Sequence, residues 1–226
     1  HVFISSGVSL IQNNGFDDCY SLELIQFESP CKLKEIQSYT FENCKSLKLI
    51  IIPSSVKTIR LNAFHKCSSL SQIVFESPSS LTTITRELFS KLQFLTQIKI
   101  PSSVKIIGNH AFSDCSNLSQ VEFESPSKLK YIKKYAFWYS CSLVQIKIPS
   151  SVVKIDELAF CHCTALKEIL FESPSSVCTF ASESFEFCES LKKIDIPSSL
   201  EKIGPCAFRY CSSLEQVTFE SPSFLD

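Results

Sequence analysis

The chain has 226 residues, 44% of them hydrophobic and 12% aromatic, which is ample for a packed core and too apolar for a disordered segment. Its 22 Lys and Arg against 23 Asp and Glu leave a net charge of -1, which argues against nucleic acid or a polybasic membrane contact as a partner. Only four glycines are present and no glycine-rich loop can wrap a nucleotide phosphate, so nucleotide enzymes drop out.

No run of 18 apolar residues exists to cross a bilayer, and the opening segment from His1 to Ile11 lacks the charged start and apolar centre of a signal peptide. No membrane insertion is expected within this stretch. Methionine is absent, as expected of a fragment of a longer array. From there one pattern recurs, F-x-x-C-x-x-L-x-x-I-x-(I or F), beginning at Phe16, Phe41, Phe64, Phe89, Phe112, Phe137, Phe160, Phe185 and Phe208. Residues 1–226 are therefore a single domain of nine units. Their separations alternate between 25 and 23 residues, so the duplicated block is a 48-residue pair of unlike units. One kind ends in Phe-Glu-Ser-Pro, as at Phe75 to Pro78, and the other in Ile-Pro-Ser-Ser, as at Ile100 to Ser103.

Within the third unit, Val56 to Ile59 predicts a short extended piece and Leu61 to Phe64 a single helical turn feeding Cys67. Leu70 to Phe75, with L-x-x-L-x-L spacing, predicts a strand whose last two apolar side chains point inward. Pro53 and Pro78 punctuate the strand ends, because proline lacks the donor a parallel ladder needs. One unit cannot bury its own apolar face, whereas units stacked on neighbours can. The expected fold is an α/β repeat solenoid: a leucine-rich-repeat arc with a concave parallel β-sheet, and short strands and single helical turns on the other faces. At about 4.8 Å per strand, nine units make a slab on the order of 40 Å long. Residues 223–226 open a tenth unit, and an array cut there favours end-to-end self-association.

The pattern I-P-S-S-V-K-x-I-x-x-x-A-F-x-x-C-x-x-L-x-x-I, seen from Ile52 to Ile73 and from Ile100 to Val121, resembles the BspA-like leucine-rich repeats of bacterial and protozoan cell-surface proteins. The resemblance covers essentially the whole chain. It implies an extracellular recognition or adhesion module with no catalytic activity and no cofactor. Departures are local: Leu92 and Ser140 replace the recurring Cys, and Phe180 replaces the usual Ile.

Of the 12 cysteines, Cys19, Cys44, Cys67, Cys115, Cys163, Cys188 and Cys211 share one repeated slot and read as reduced packing residues. Cys31, Cys141, Cys161, Cys178 and Cys206 fall outside it, where exposed thiols or stray bonds are more natural. Cys161-His162-Cys163 is too tightly spaced for the usual C-x-x-C chelate, so no metal is expected. His1, His65, His110 and His162 sit at different repeat positions without recurring partners, so no hydrolytic triad is expected. Glu28, Glu76, Glu124, Glu172 and Glu220 form a file too widely spaced to share calcium, and loop capping is the expected role.

Binding specificity in such a solenoid lies where the repeat does not dictate the residue. Outward positions on the concave strands form an apolar patch of Leu24, Leu49, Ile51 and Val74, followed by a charged zone that includes Lys99, Glu122 and Lys147. Lys and Glu on adjacent strands are expected to pair across the ladder. Two residues after the unit Phe, the later units carry Tyr139, His162, Phe187 and Tyr210, beside Trp138, an aromatic band along one flank. That band is either a contact site or a self-packed stack. Asn117-Leu118-Ser119 is a glycosylation sequon just before a concave strand. The expected partner is a protein or glycan on a host cell, matrix or neighbouring microbe, with an intracellular scaffold of the same fold as the alternative.

Overall fold

The computed structural model describes residues 1–221, and the expected opening of a tenth unit at residues 223–226 lies outside the described residues. Two files of parallel strands run the length of the stack. In chain order the strands are β1 (Val2–Ile4), β2 (Leu10–Ile11), β3 (Ile25–Phe27), β4 (Glu35–Ile36), β5 (Leu49–Ile52) and β6 (Thr58–Ile59). They continue as β7 (Gln72–Phe75), β8 (Thr83–Ile84), β9 (Gln97–Ile100), β10 (Ile106–Ile107), β11 (Gln120–Phe123), β12 (Tyr131–Ile132) and β13 (Gln145–Ile148). The last six are β14 (Lys154–Ile155), β15 (Glu168–Phe171), β16 (Thr179–Phe180), β17 (Lys193–Ile196), β18 (Lys202–Ile203) and β19 (Gln216–Phe219). Odd-numbered strands form the longer file, the face expected to be concave, and even-numbered strands form the two-residue file.

Each coil sends the same side chains inward, as expected from the pattern. In the coil of β10 and β11 these are Val104, Ile107, Ala111, Phe112, Cys115, Leu118 and Val121, all buried. The unit phenylalanines form a continuous stack, with ring centroids 5.1 Å apart at Phe137–Phe160 and 5.9 Å apart at Phe64–Phe89. Phe180, where other coils have Ile, packs against Phe171 at 5.7 Å and edge-on to Phe185 at 5.3 Å, so the larger ring is absorbed within the core.

The expected helical turns do not form. Among the described residues there is no helix, and each coil instead carries two residues at positive φ, four positions apart, such as Tyr135 (φ 59) and Tyr139 (φ 57). These left-handed residues turn alternate amides away from the chain's own carbonyls and toward the next coil. Tyr135 donates to Glu157 at 3.1 Å, Phe137 to Ala159 at 2.8 Å and Tyr139 to Cys161 at 3.1 Å. The turn thereby becomes a third inter-coil ladder, which satisfies the backbone that a helix would have satisfied internally. No glycine occupies a positive-φ position, so side chains bear the strain of this conformation, about 1–2 kcal/mol per residue. Leu158, at φ 56, lacks the short polar side chain that tolerates this region. Leu158→Asn is therefore expected to stabilise the chain by about 1 kcal/mol, read as a higher denaturant midpoint.

Polar residues of the repeat are also occupied between coils. The carboxylates of Glu28, Glu76, Glu124 and Glu172 accept the amides of Ser6, Ser54, Ser102 and Ser150 in the preceding coil, at 2.7 to 3.2 Å. The capping role expected for this file is thus exerted on the neighbouring turn. The hydroxyls of Ser55, Ser103, Ser151 and Ser199 donate to the carbonyls of Leu33, Leu81, Leu129 and Val177 at 2.7 to 2.8 Å. In the slot two turns further on, Cys67, Cys115 and Cys163 donate S–H to the Phe carbonyl of the coil before, at 3.0, 3.1 and 3.3 Å. Ser140 makes the same bond to Phe112 at 3.2 Å, so its substitution preserves the donor.

The long-strand face is not one uniform sheet. β5 and β7 pair over four residues, as do β9 and β11, β13 and β15, and β17 and β19. Between these pairs the ladder fails: β11 and β13 share two positions, β3 and β5 meet at a single bridge at Leu24–Leu49, and β7 and β9 share none. Proline accounts for the missing last rung. Within a pair the last rung is an amide from Glu, as Glu76 to Ile52 at 3.0 Å and Glu124 to Ile100 at 2.9 Å. At the next junction the corresponding positions are Pro101 and Pro149, which have no N–H to give. The 48-residue period of the sequence is therefore a physical pair of strands.

Candidate functional site

The side chains that the repeat leaves free on the long-strand face are the candidate site. At its amino-terminal end Ile51 and Val74 are 42% and 47% exposed, while Leu24 and Leu49 are half-buried. Phe3, 65% exposed on β1, joins them and enlarges the apolar patch. The sequence pattern missed Phe3 because its first complete unit starts at Phe16. The available signal was Phe3-Ile4-Ser5-Ser6, which occupies the place of Ile51-Ile52-Pro53-Ser54 one block later.

The expected cross-strand pairing of Lys and Glu fails at Lys99 and holds at Lys147. Lys99 stands in register with Glu122, yet Glu122 accepts instead from Gln120 Nε2 on its own strand at 2.5 Å. Lys147 reaches Glu172 at the strand end, 3.3 Å away, and Glu168 accepts from Gln145 at 2.7 Å. Gln145 and Glu168 are register partners across β13 and β15, so only Lys99 of these long side chains is left without a carboxylate partner on the open face. Shallow depressions mark the incomplete junctions. One lies between β7 and β9, lined by Gln72, Val74, Gln97, Lys99, Gln120 and Glu122, and another lies between β11 and β13, lined by Gln120, Val144, Gln145 and Lys147.

The aromatic band is brought together as a stack. Tyr139, His162, Phe187 and Tyr210 lie face to face at 4.3, 4.3 and 4.5 Å, and Trp138 meets Tyr139 edge-on at 4.4 Å. These four residues are the second positive-φ position of successive coils. Stacking, at about 0.5–1.5 kcal/mol per aromatic pair, offsets the strain of placing a ring there. The faces of His162 and Phe187 are spent on neighbours, whereas the end rings Tyr139 and Tyr210 are 37% and 58% exposed.

Other candidates separate in space. Cys161 approaches the Glu186 carboxylate at 3.8 Å, Cys163 donates to the Phe137 carbonyl, and His162 sits between two rings, so the Cys-His-Cys run does not converge. Among the described residues no group of three His, Cys, Asp or Glu side chains is placed to hold a metal ion. All twelve cysteines are free thiols; burial pushes Cys115 up to about 12 and raises Cys163 as well, which keeps both unreactive. Asn117 of the sequon is exposed and donates to the Gln93 carbonyl at 2.7 Å.

His65 is the one buried histidine, with Nδ1 2.5 Å from the Ser90 hydroxyl. Burial, reinforced by Lys66 and Lys91 and opposed by Glu87, holds its pKa below the ordinary 6.5. A depressed histidine pKa means that the folded state prefers the neutral ring; this preference stabilises above the unfolded pKa and is lost as pH falls through and below 6.5. The thermal midpoint is expected to drop between about pH 7 and pH 5, and His65→Gln to shrink that drop. His110, depressed by burial too, contributes the same sign, so His110→Gln is expected to shrink the drop as well.

A stack of short coils with an open parallel-strand face and no convergent catalytic groups among the described residues is a leucine-rich-repeat solenoid. The family model of the BspA type leucine-rich repeat region, in six copies, matches residues 1–119 and 82–215, and the chain belongs to that family. Among solved structures it is similar to the pneumococcal vaccine antigen PcpA, with 23% identity and a TM-score of 0.59 over 98% of this chain. It spans 62% of that PcpA chain. It is also similar to the leucine-rich repeat protein TpLRR of T. pallidum, with 27% identity and a TM-score of 0.55 over 84% of this chain and 75% of that one. A leucine-rich cell surface protein from Faecalibacterium prausnitzii A2-165 aligns with 25% identity and a TM-score of 0.48 over 98% of this chain and 79% of that one. No curated protein matches the chain.

Proposed function

We propose that the chain is a non-enzymatic interaction and adhesion module of a microbial surface protein, binding a host or neighbouring-cell protein or glycan through its long-strand face. The observation that carries this is the contiguous exposed apolar patch of Phe3, Ile51 and Val74, continuous with unpaired charge at Lys99. Contiguous exposed aliphatic surface on a folded protein marks a contact site. Membership of the BspA-type family supports a place at the cell surface. The abundant free thiols, which would favour an intracellular scaffold, have a packing explanation in the Phe-carbonyl bonds of the slot.

The test is retention of labelled chain on epithelial cells and on matrix-coated wells. Ile51→Glu combined with Val74→Glu is expected to lower binding at least about tenfold, while a Tyr139→Ala, Phe187→Ala, Tyr210→Ala variant binds normally and melts lower. Binding indifferent to the first variant and abolished by the second, with the fold intact, would move the contact site to the aromatic flank.

A further inference from the structure

Resting on that assignment of the long-strand face, we propose that its ligand is an extended β-1,4-linked glycan lying along the solenoid axis, one disaccharide per pair of strands. The grooves are periodic. Openings at β3/β5, β7/β9 and β11/β13 recur every second coil, and at each of them Pro53, Pro101 or Pro149 lacks the closing amide. Two strand spacings set the groove repeat at about 10 Å. A β-1,4-linked hexopyranose chain turns over at each sugar, so that the same face recurs every second residue, and its disaccharide repeat has this length. Two-fold alternation in the protein thus meets two-fold alternation in the polymer.

The lining chemistry agrees. Gln97, Gln120 and Gln145 stand in one register across neighbouring strands, with Gln72 opposite Gln97 across the β7/β9 groove. Gln120 and Gln145 each give one N–H to a carboxylate, Glu122 and Glu168, and keep a second N–H and the amide oxygen for a ligand, the complement of sugar hydroxyls and ring oxygens. Val74 and Val144, both exposed, give an apolar floor for the C–H face of a pyranose ring. His162 and Phe187 of the aromatic flank are stacked on both sides, which leaves them no face for a sugar ring.

Calorimetric titration with β-1,4-linked N-acetylglucosamine oligomers and with cello-oligomers, each of two, four and six sugars, and with the α-linked maltohexaose alongside, tests the proposal. Affinity for at least one β-linked series should climb with each added disaccharide, maltohexaose should bind at least about tenfold more weakly, and Gln72→Ala with Gln97→Ala should weaken the hexamer about tenfold. Both glutamines are exposed, and circular dichroism confirms that the variant is folded. No binding by either β-linked hexamer, equal affinity for dimer and hexamer, equal affinity for maltohexaose, or indifference to the double substitution would overturn it. Loss of cell binding in the Ile51→Glu, Val74→Glu variant, with no oligosaccharide bound, would retire the glycan and leave the contact face standing.

Discussion

Phe137→Ala is expected to destabilise the chain by about 3–5 kcal/mol, the cost of emptying a large aromatic site in a packed core. Phe137 is fully buried, with the Phe112 ring 5.3 Å away on one side and the Phe160 ring 5.1 Å away on the other, both nearly parallel to it. The substitution therefore removes two stacked contacts and leaves a void midway along the column. Coils in a solenoid hold only their neighbours, so the weakened interface should also divide the cooperative unit. Denaturant melts followed by circular dichroism should lose their single sharp transition, and limited proteolysis should cut near the substituted coil. Phe94→Ala is the control. Phe94 is 61% exposed and outside the stack, and its loss should stay within about 0.5 kcal/mol. Equal effects at the two positions would contradict the Phe column as the spine of the fold.

Much of that column was legible because each letter of the repeat is a buried position. Leu118, Val121 and Phe112 are apolar in the pattern and buried in the coil, and stacking follows once one unit cannot cover itself. The helical turn was misread from the same letters. An Ala-Phe-x-x-Cys run fits one turn of an amphipathic helix, and only the backbone sign at Asn62 and Lys66 distinguishes it from a left-handed reversal. Asn14, Asp18, Asn43 and Asn62 were the available signal, since Asn and Asp favour that region. Tyr135, Leu158 and Phe187 at the same positions hid it.

The face was less legible than the core. Pro53, Pro101 and Pro149 are visible every 48 residues, but the consequence of each depends on which carbonyl of the previous coil its missing amide would have met. That partner is a matter of register between coils. Likewise Lys99 and Glu122 were correctly placed opposite each other, yet Gln120, on the same strand, engages the carboxylate first. Column position is encoded locally. Choice among several reachable partners is decided by side-chain geometry in three dimensions.

The recurring cysteine yields the second large effect, and it should differ between slots. Cys115→Val keeps the volume but removes the S–H that bonds the Phe89 carbonyl at 3.1 Å. That carbonyl is buried, and leaving it without the bond is expected to cost about 1–3 kcal/mol. Cys163→Val should cost less, because the Phe137 carbonyl that Cys163 serves also accepts the Ser140 amide at 3.1 Å. The native Leu92 shows how a slot tolerates the loss: the Phe64 carbonyl of the coil before retains the Cys67 amide at 3.3 Å. Cys115→Ser, with the donor that Ser140 already uses, should fall closer to the parent than Cys115→Val does. Equilibrium denaturation of the three variants checks the order. If Val were tolerated at position 115 as well as at 163, the thiols would be filling space alone, and their hydrogen bonds would hold nothing.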